Sequence, residues 1–160
     1  MQVDIIQADY HHPQHQKDIP YLLNSYACDP MGGGEPLTQA VQDNLVQSLA
    51  KLPHAFSVIA YVNNQPAGLI NCFEAFSTFA CKPLVNIHDI IVLNDFRRHG
   101  LCQKMLEKVT SIAQSKGCCK LTLEVLSNNE VAKQAYKKFG FDDYQLDPST
   151  GHALFWQKKL

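Results

Sequence analysis

The residues whose types and spacing best suit chemistry form a short basic turn, Arg97 to Cys102. An apolar run that predicts a buried strand, Ile90 to Leu93, precedes this turn, and an amphipathic helix is predicted to begin at Leu101. The first N–H groups of such a helix have no partner within it, and the helix dipole adds partial positive charge there. These donors favour an anion, most often a phosphate, and Gly100 lets the backbone approach it closely. One glycine before a helix is also typical of an ordinary turn.

A second segment downstream, Asn129 to Phe141, has a fixed spacing of its own. Together the two segments resemble the GNAT superfamily of N-acetyltransferases. The loop pattern of that superfamily, Arg/Gln-x-x-Gly-x-Gly/Ala, is matched at Arg97, Gly100 and Cys102. Its later pattern, Asn-x-x-Ala-x-x-x-Tyr-x-x-x-Gly-Phe, is matched at Asn129, Ala132, Tyr136, Gly140 and Phe141. Other blocks of the chain resemble a bacterial subgroup of this superfamily that implies no particular acceptor.

The resemblance implies transfer of the acetyl group of acetyl-CoA to a primary amine of a small molecule or peptide by direct attack. Tyr136 matches the residue that usually acts as general acid toward the leaving thiolate. Asn129 matches the residue that usually reaches the pantetheine amide or a bound water. From the residues alone, packing on the buried face of a helix is the favoured role for Tyr136, and Asn129 could be the cap of that helix.

The expected coenzyme contacts are Ile90, Ile91, Val92, Arg97, Arg98, His99, Gly100, Leu101, Cys102, Gln103, Asn129, Ala132 and Tyr136. Backbone N–H groups near Ile90 to Val92 would stabilise a developing oxyanion, as fixed donors do. Two residues depart from the loop pattern, since Arg98 stands where glycine is frequent and Cys102 where glycine or alanine is usual. The alternative to an enzyme is a non-catalytic acyl-CoA sensor or regulatory module, which these departures would suit and Tyr136 would not.

The general base is sought among polar residues in predicted strands, in the order Glu74, Asp89 and His88. Glu74 lies among apolar neighbours, where a carboxylate is either at an exposed edge or functional. Asp89 and His88 directly precede the apolar run that would contact the coenzyme, and His88 has the most suitable unperturbed pKa, near ~6.5. Substrate contacts are expected from Asp29, Glu35 and Glu74, whose charge could hold a cationic amine.

The elements that must position these residues follow from apolar spacing and turn signals. Strands are expected at about 2–8, 56–62, 65–78, 84–93 and 120–126, with a closing antiparallel pair at 141–144 and 152–158. Helices are expected from an Asp18 cap to Asp29, over 37–52 and 101–116, and from Asn128 or Asn129 to Gly140. Asn63-Asn64 predicts a hairpin. The fold class is α/β: a mixed, mostly antiparallel sheet of about six or seven strands with helices on both faces. The resemblance adds a central parallel pair splayed around the coenzyme.

Length and composition limit the number of domains, the classes of partner and the expected location of the protein. The 160 residues predict one domain, 1–160, and a net charge of −1 suggests no nucleic acid and no anionic membrane as partner. With no membrane-length apolar run and no signal-type N-terminus, we expect a cytoplasmic protein whose six cysteines are reduced and mostly structural. His11, His12 and His15 predict a solvated loop, because no acidic or cysteine partner completes a metal site nearby. Homodimers are common in the superfamily, so a homodimer is a possibility.

Overall fold

The computed structural model describes residues 1–144 and 146–160, which form two compact units, Met1–Leu123 and Glu124–Leu160. The first unit holds a mixed sheet and three α-helices, and the second unit holds one α-helix. This confirms the predicted α/β class. Within the described residues, none of the helices combines the length and apolar composition needed to cross a membrane.

The sheet of the first unit contains five strands in the order β1-β2-β3-β4-β5. Their bounds are β1 Val3–Gln7, β2 Ala55–Val62, β3 Gln65–Ser77, β4 Lys82–Val92 and β5 Leu121–Leu123. All neighbours are antiparallel except β4 and β5, which are parallel as the resemblance implies. This parallel pair lies at the edge of the observed sheet. The helices are α1 Pro13–Cys28, α2 Gln39–Ala50 and α3 Leu101–Ser115.

The two faces of the sheet are covered by different helices. On one face, which we call the cavity face, α1 and α2 pack through a buried cluster of Ile19, Leu22, Val46, Ile59, Leu69 and Ile91. The other face, which we call the α3 face, approaches α3 closely, since a Cβ added to Gly68 would lie 2.8 Å from Cε of Met105. Because side chains alternate along a strand, each strand residue is assigned to one face by its position.

The start of α1 differs from the prediction. The helix begins at Pro13, and His12, not Asp18, is its N-cap, with a ring nitrogen that accepts from the backbone N–H of Gln14. Asp18 is instead buried inside the helix, where its carboxylate accepts from Gln14 Nε2 at 2.9 Å and from the Tyr61 hydroxyl at 2.6 Å. The predicted histidine-rich loop is therefore largely the first turn of a helix.

Other local predictions are confirmed within a few residues. The Asn63-Asn64 hairpin has φ of 48° and 65°, the left-handed pair that a tight hairpin requires. The helix predicted over 37–52 is α2, Gln39–Ala50, and the structure shows that Thr38 caps it through its hydroxyl, which accepts from the Val41 N–H. The strand predicted over 120–126 is shorter, because only Leu121–Leu123 pairs with β4.

The second unit contains α4, Glu130–Phe139, and a short 3₁₀ turn at Pro148–Thr150. The predicted closing pair of strands is wrong for the residues described here, which include no strand after Leu123. Ala153 N–H donates to Tyr144 O at 3.4 Å, whereas a β-ladder needs a repeated pattern of such hydrogen bonds. Over residues 1–144 and 146–160 the sheet therefore has five strands, fewer than the six or seven predicted.

Candidate active site

The N-terminus of α3 has the geometry of an anion site. Gly100 is its N-cap with φ of 73°, and no side chain caps the helix. Apart from Gly100 itself and its neighbours along the chain, no heavy atom of the described residues lies within 4 Å of the position that a Gly100 Cβ would take, so the backbone faces open space. The helix dipole is therefore unopposed by a capping side chain at this end. This arrangement fits a phosphate group of the coenzyme that the sequence predicts.

The two arginines before Gly100 are held differently. Arg97 donates from Nε to the Val92 carbonyl at 3.1 Å and lies 3.6 Å from Oδ2 of Asp29 through Nη2, so it ties the turn to β4 and to the end of α1. Arg98 has φ of 65°, a left-handed conformation that few residues other than glycine adopt. That conformation explains why glycine is frequent at this place in the pattern. His99 is exposed beside it.

Leu101, Cys102 and Gln103 form the first turn of α3, with Leu101 fully buried in the core. Burial raises the pKa of the Cys102 thiol to about 11. The thiol is therefore neutral near pH 7, since a pKa well above the ambient pH leaves it protonated. Cys102 adds no negative charge against an anion at this helix end.

Strands β4 and β5 pair over only part of β4. The parallel register joins Val85 to Leu121, Asn86 to Thr122 and Ile87 to Leu123. Beyond this pairing β4 continues through Ile90, Ile91 and Val92, which pair on the other side with Ile70, Leu69 and Gly68 of β3. The register of β3 and β4 shifts at His88, which is the extra residue of a β-bulge. This leaves the β5-facing edge of β4 without a strand partner in the described sheet from His88 onward.

A cavity of about 290 Å³ lies on the cavity face next to this bulge. Its lining residues are Leu23 of α1, Leu45 and Leu49 of α2, Asn71 and Phe73 of β3, and His88 and Asp89 of β4. The polar side chains therefore come from the two strands and the apolar side chains mostly from the two helices. Such a pocket, apolar with a few convergent polar groups, is typical of a small-molecule site.

Asp89 is the carboxylate of this cavity. Asn71 Nδ2 donates to Asp89 Oδ2 at 3.0 Å. Burial first, and then the negative charges of Asp89 and Asp29, raise the pKa of the Tyr26 hydroxyl on α1. His88 packs edge-on against Phe73, with ring centroids 5.4 Å apart. The structure thus brings two of the three predicted base candidates, Asp89 and His88, into one pocket.

Glu74 lies elsewhere. It is three residues after Asn71 on β3 and so belongs to the α3 face, where its carboxylate lies 3.3 Å from Nζ of Lys116. The shallow cleft that Glu74 helps to line, with Pro53, His54 and Pro83 among its residues, is not the Asp89 cavity. The structure therefore does not bring Glu74 together with Asp89.

Asp29 and Glu35 lie close to the end of α1, on either side of Gly32, Gly33 and Gly34. Asp29 accepts from the Met31 N–H through Oδ1 while Oδ2 faces Arg97, so its charge is already partly neutralised. Glu35 is exposed, and its backbone N–H donates to the Ala27 carbonyl at 3.1 Å. Both remain predictions as acceptor contacts.

In the second unit, Asn129 is the N-cap of α4, and its Oδ1 accepts from the Ala132 N–H at 3.2 Å. Tyr136 is half-buried, with its ring 6.1 Å from that of Phe141 in an edge-on arrangement. The capping role that the sequence allows for Asn129 is therefore present. The coenzyme roles of Asn129, Ala132 and Tyr136 remain predictions.

Sequence reasoning missed Tyr26, Asn71 and the apolar wall of the cavity. Asn71 carried a usable signal, because it is a carboxamide within an otherwise apolar strand, Gly68-Leu69-Ile70-Asn71-Cys72. Tyr26 carried none beyond its place on an amphipathic helix.

Comparison with known proteins shows which family the chain resembles. The profile of the Acetyltransferase (GNAT) family matches residues 19–141. A thialysine N-epsilon-acetyltransferase of Caenorhabditis elegans is 33% identical over 105 residues, which are 66% of this chain and 62% of that protein. Its namesake in Mus musculus is 37% identical over 71 residues, 44% of this chain and 41% of that protein. The chain therefore matches less than two thirds of the length of either relative.

Solved structures show the same fold. A probable acetyltransferase superposes with a TM-score of 0.80 at 18% identity and covers 98% of this chain and 99% of its own. The aminoglycoside acetyltransferase AAC(6')-Iy, bound to a bisubstrate analogue of CoA and acetylneamine, gives a TM-score of 0.76 at 18% identity over all of both chains. With the family profile spanning most of the sequence, these findings establish that the chain belongs to the GNAT acetyltransferase family.

Proposed function

We propose that this protein transfers the acetyl group of acetyl-CoA to the primary amine of a small molecule, with the amine bound in the Asp89 cavity. One observation carries the proposal: β4 bears a cavity-lining carboxylate, Asp89, only three residues before Val92, where the strand enters the anion-binding turn. A carboxylate for the amine and backbone donors for the coenzyme are thus supplied by consecutive parts of the same strand and turn.

The coenzyme would be anchored by the N-terminus of α3, where backbone donors and the helix dipole meet a phosphate. Acetyl-CoA supplies a thioester whose carbonyl carbon is the electrophile. We assign the polarisation of that carbonyl to a backbone N–H on the open edge of β4, within Ile90 to Val92, because fixed donors stabilise a developing oxyanion without reorganising.

The amine must lose a proton to attack. An alkylammonium group has a pKa near ~10.4, so it is mostly charged near neutral pH. We propose that Asp89 first holds the ammonium group by charge and then accepts its proton, while His88 is the second candidate for that step. The nitrogen attacks the carbonyl carbon, the C–N bond forms and the C–S bond breaks.

The leaving thiolate needs a proton in turn. We propose Tyr136 as its source, on the strength of the matched pattern Asn129-x-x-Ala132-x-x-x-Tyr136 in this sequence. Regeneration would then move the proton held by Asp89 to solvent and return one to Tyr136.

The cavity also suggests the acceptor class. One carboxylate stands among apolar walls from Leu23, Leu45 and Leu49. This lining suits an amine at the end of a flexible, largely apolar chain better than a polyhydroxylated amine, whose hydroxyl groups would lose hydrogen bonds there. The names of the curated relatives, which specify the terminal amine of thialysine, agree with this class.

A mixed amine panel incubated with acetyl-CoA and followed by mass spectrometry tests the proposal. The panel holds thialysine, lysine, polyamines, an aminoglycoside and short peptides, and a thiol dye is avoided because six cysteines would react with it. We expect a singly acetylated product from a terminal alkylamine, and its loss with Tyr136→Phe. Coenzyme binding without a product from any amine would overturn the enzyme in favour of the acyl-CoA sensor.

A further inference from the structure

We infer that a buried hydrogen-bonded chain, Tyr10–Ser57–Asn71, positions Asp89 to receive the acceptor proton. This inference rests on the proposed function. Nothing in the sequence pattern of the family segments includes these three residues, which lie in the loop after β1, on β2 and on β3. These hydrogen bonds run from β2 across β3 to β4 and end at the Asp89 carboxylate in the cavity.

The distances along this chain are all within hydrogen-bond range. The Tyr10 hydroxyl and Ser57 Oγ are 2.9 Å apart, and Ser57 Oγ donates to Asn71 Oδ1 at 2.7 Å. Asn71 Nδ2 then donates to Asp89 Oδ2 at 3.0 Å. Ser57 is fully buried and Asn71 is 4% exposed, so water does not compete for these groups.

The chain has one direction. Ser57 has a single hydroxyl proton, which it gives to Asn71, so Tyr10 must be the donor to Ser57. An amide that accepts at Oδ1 from Ser57 must present its NH₂ group to Asp89. If the amide were reversed, two acceptor oxygens would face each other at the ionised carboxylate. Each group therefore sets the orientation of the next, and the last one fixes the position of Oδ2 of Asp89.

Burying these polar groups needs an explanation. A hydroxyl and a carboxamide in a sheet core cost free energy unless they are fully hydrogen-bonded, and apolar residues of similar size would pack there without that requirement. Within the part of the chain that the structure describes, the side-chain hydrogen bonds of Ser57 and Asn71 lead to Asp89 and to no other charged group. A carboxylate held in this way presents its other oxygen, Oδ1, to the cavity occupant in a defined direction, which is what a positioned base requires.

The same sheet face provides a matched control. The Tyr61 hydroxyl donates to Asp18 Oδ2 at 2.6 Å, and Asp18 is 5% exposed. This is also a part-buried hydrogen bond of a tyrosine, here between β2 and α1, but neither residue lines the cavity. Tyr61→Phe therefore removes a comparable bond without touching the chain.

The test compares the kinetics of Asn71→Leu, Ser57→Ala, Ser57→Thr, Tyr10→Phe and Tyr61→Phe in the full chain, each checked by thermal unfolding. For Asn71→Leu we expect kcat to fall by about tenfold to a hundredfold, the range for losing one hydrogen bond to a charged group, with KM for acetyl-CoA unchanged. Ser57→Ala should lower kcat less, Ser57→Thr should restore it because it keeps the hydroxyl, and Tyr61→Phe should leave kcat as it is.

A double variant separates positioning from general damage. In an Asp89→Asn background, Asn71→Leu should cause no further loss, because its effect acts through the carboxylate. Additive losses would overturn the inference, as would an equal fall of kcat with Tyr61→Phe. In both cases acetyl transfer by the wild type would still stand, so the proposed function would survive.

A measurement without turnover covers the case in which no amine is acetylated. In ¹H–¹⁵N NMR spectra we expect one Asn71 side-chain amide proton to be shifted downfield and slow to exchange. It should move back in Ser57→Ala and in Asp89→Ala, and stay in Tyr61→Phe. An Asn71 amide signal that is unchanged in Ser57→Ala would overturn the chain whatever the activity of the protein.

Discussion

The two faces of the sheet hold their carboxylates in opposite ways. On the cavity face, the one side chain that hydrogen-bonds Asp89 within the described residues is the neutral amide of Asn71. On the α3 face, Glu74 lies 3.3 Å from the ammonium of Lys116. Both residues are in the middle strands, and sequence alone ranks Glu74 first. The difference is that one charge is oriented and left available, whereas the other is already paired.

That difference separates two uses of a strand carboxylate. A partly exposed carboxylate that already forms an ion pair with a cationic side chain contributes little to stability and is less available to a cationic ligand. A carboxylate that is held by a neutral donor beside an apolar cavity can instead pair with a cationic ligand. We therefore expect acceptor chemistry on the cavity face, and coenzyme anchoring at the N-terminus of α3.

The sharpest test of this comparison replaces each carboxylate by its amide. Asp89→Asn should lower kcat/KM for the amine by about a hundredfold or more, the range for loss of a general base. Glu74→Gln should lower kcat/KM for the amine much less, with a loss at least about tenfold smaller than that of Asp89→Asn, because it only breaks a surface ion pair. Steady-state kinetics with the amine found by mass spectrometry measure both. An equal or larger loss with Glu74→Gln would reverse the assignment and restore Glu74 as the base.

The comparison also shows what sequence could predict. The hairpin at Asn63-Asn64, the Gly100 start of α3 and the Asn129 cap are set by neighbouring residues, so local pattern was enough. The predicted start of α1 at Asp18 is wrong, because the Asp18 carboxylate does not cap the helix but accepts a hydrogen bond from Tyr61, 43 positions away. Nothing near Asp18 in the sequence reveals that partner.

The candidate site divides in the same way. The turn predicted to hold the coenzyme, Arg97 to Cys102, is one contiguous segment, so a local pattern and its resemblance to a family are enough to predict it. The cavity is assembled from α1, α2, β3 and β4, so only the fold brings Asn71 to Asp89, which are 18 positions apart. The ranking of Glu74 over Asp89 could not be decided without knowing which face each side chain occupies, because a register shift at His88 intervenes.

The two ends of α3 supply a test of the anion site. Gly100 and Gly117 have nearly equal φ, 73° and 72°, and neither has a heavy atom within 4 Å of an added Cβ. Alanine at either position should destabilise the fold by about 1 kcal/mol, the cost of a left-handed conformation. Only Gly100→Ala should also weaken CoA binding, by about tenfold, because its Cβ stands between the helix end and the phosphate.

Isothermal titration with CoA and thermal unfolding measure these two effects separately. Equal losses of CoA affinity in Gly100→Ala and Gly117→Ala would show that the affinity follows stability and not the helix N-terminus. KM for the amine should be unchanged in both variants, since the cavity proposed to hold the acceptor is on the other face of the sheet from α3.

The smallest effect is expected at Cys102. Burial raises the pKa of this thiol to about 11, so the residue is neutral at pH 7 and neither attracts nor repels a phosphate. Cys102→Ala should therefore change the Kd for CoA by less than about twofold at pH 7, as a neutral-for-neutral exchange. A difference in the Kd for CoA should develop only as the pH approaches the thiol pKa. There a thiolate in the wild type would repel the phosphate, so the alanine variant should bind CoA more tightly than the wild type. A large gain in affinity with Cys102→Ala at pH 7 would mean that the thiol is already ionised, and that this departure from the loop pattern weakens the coenzyme site.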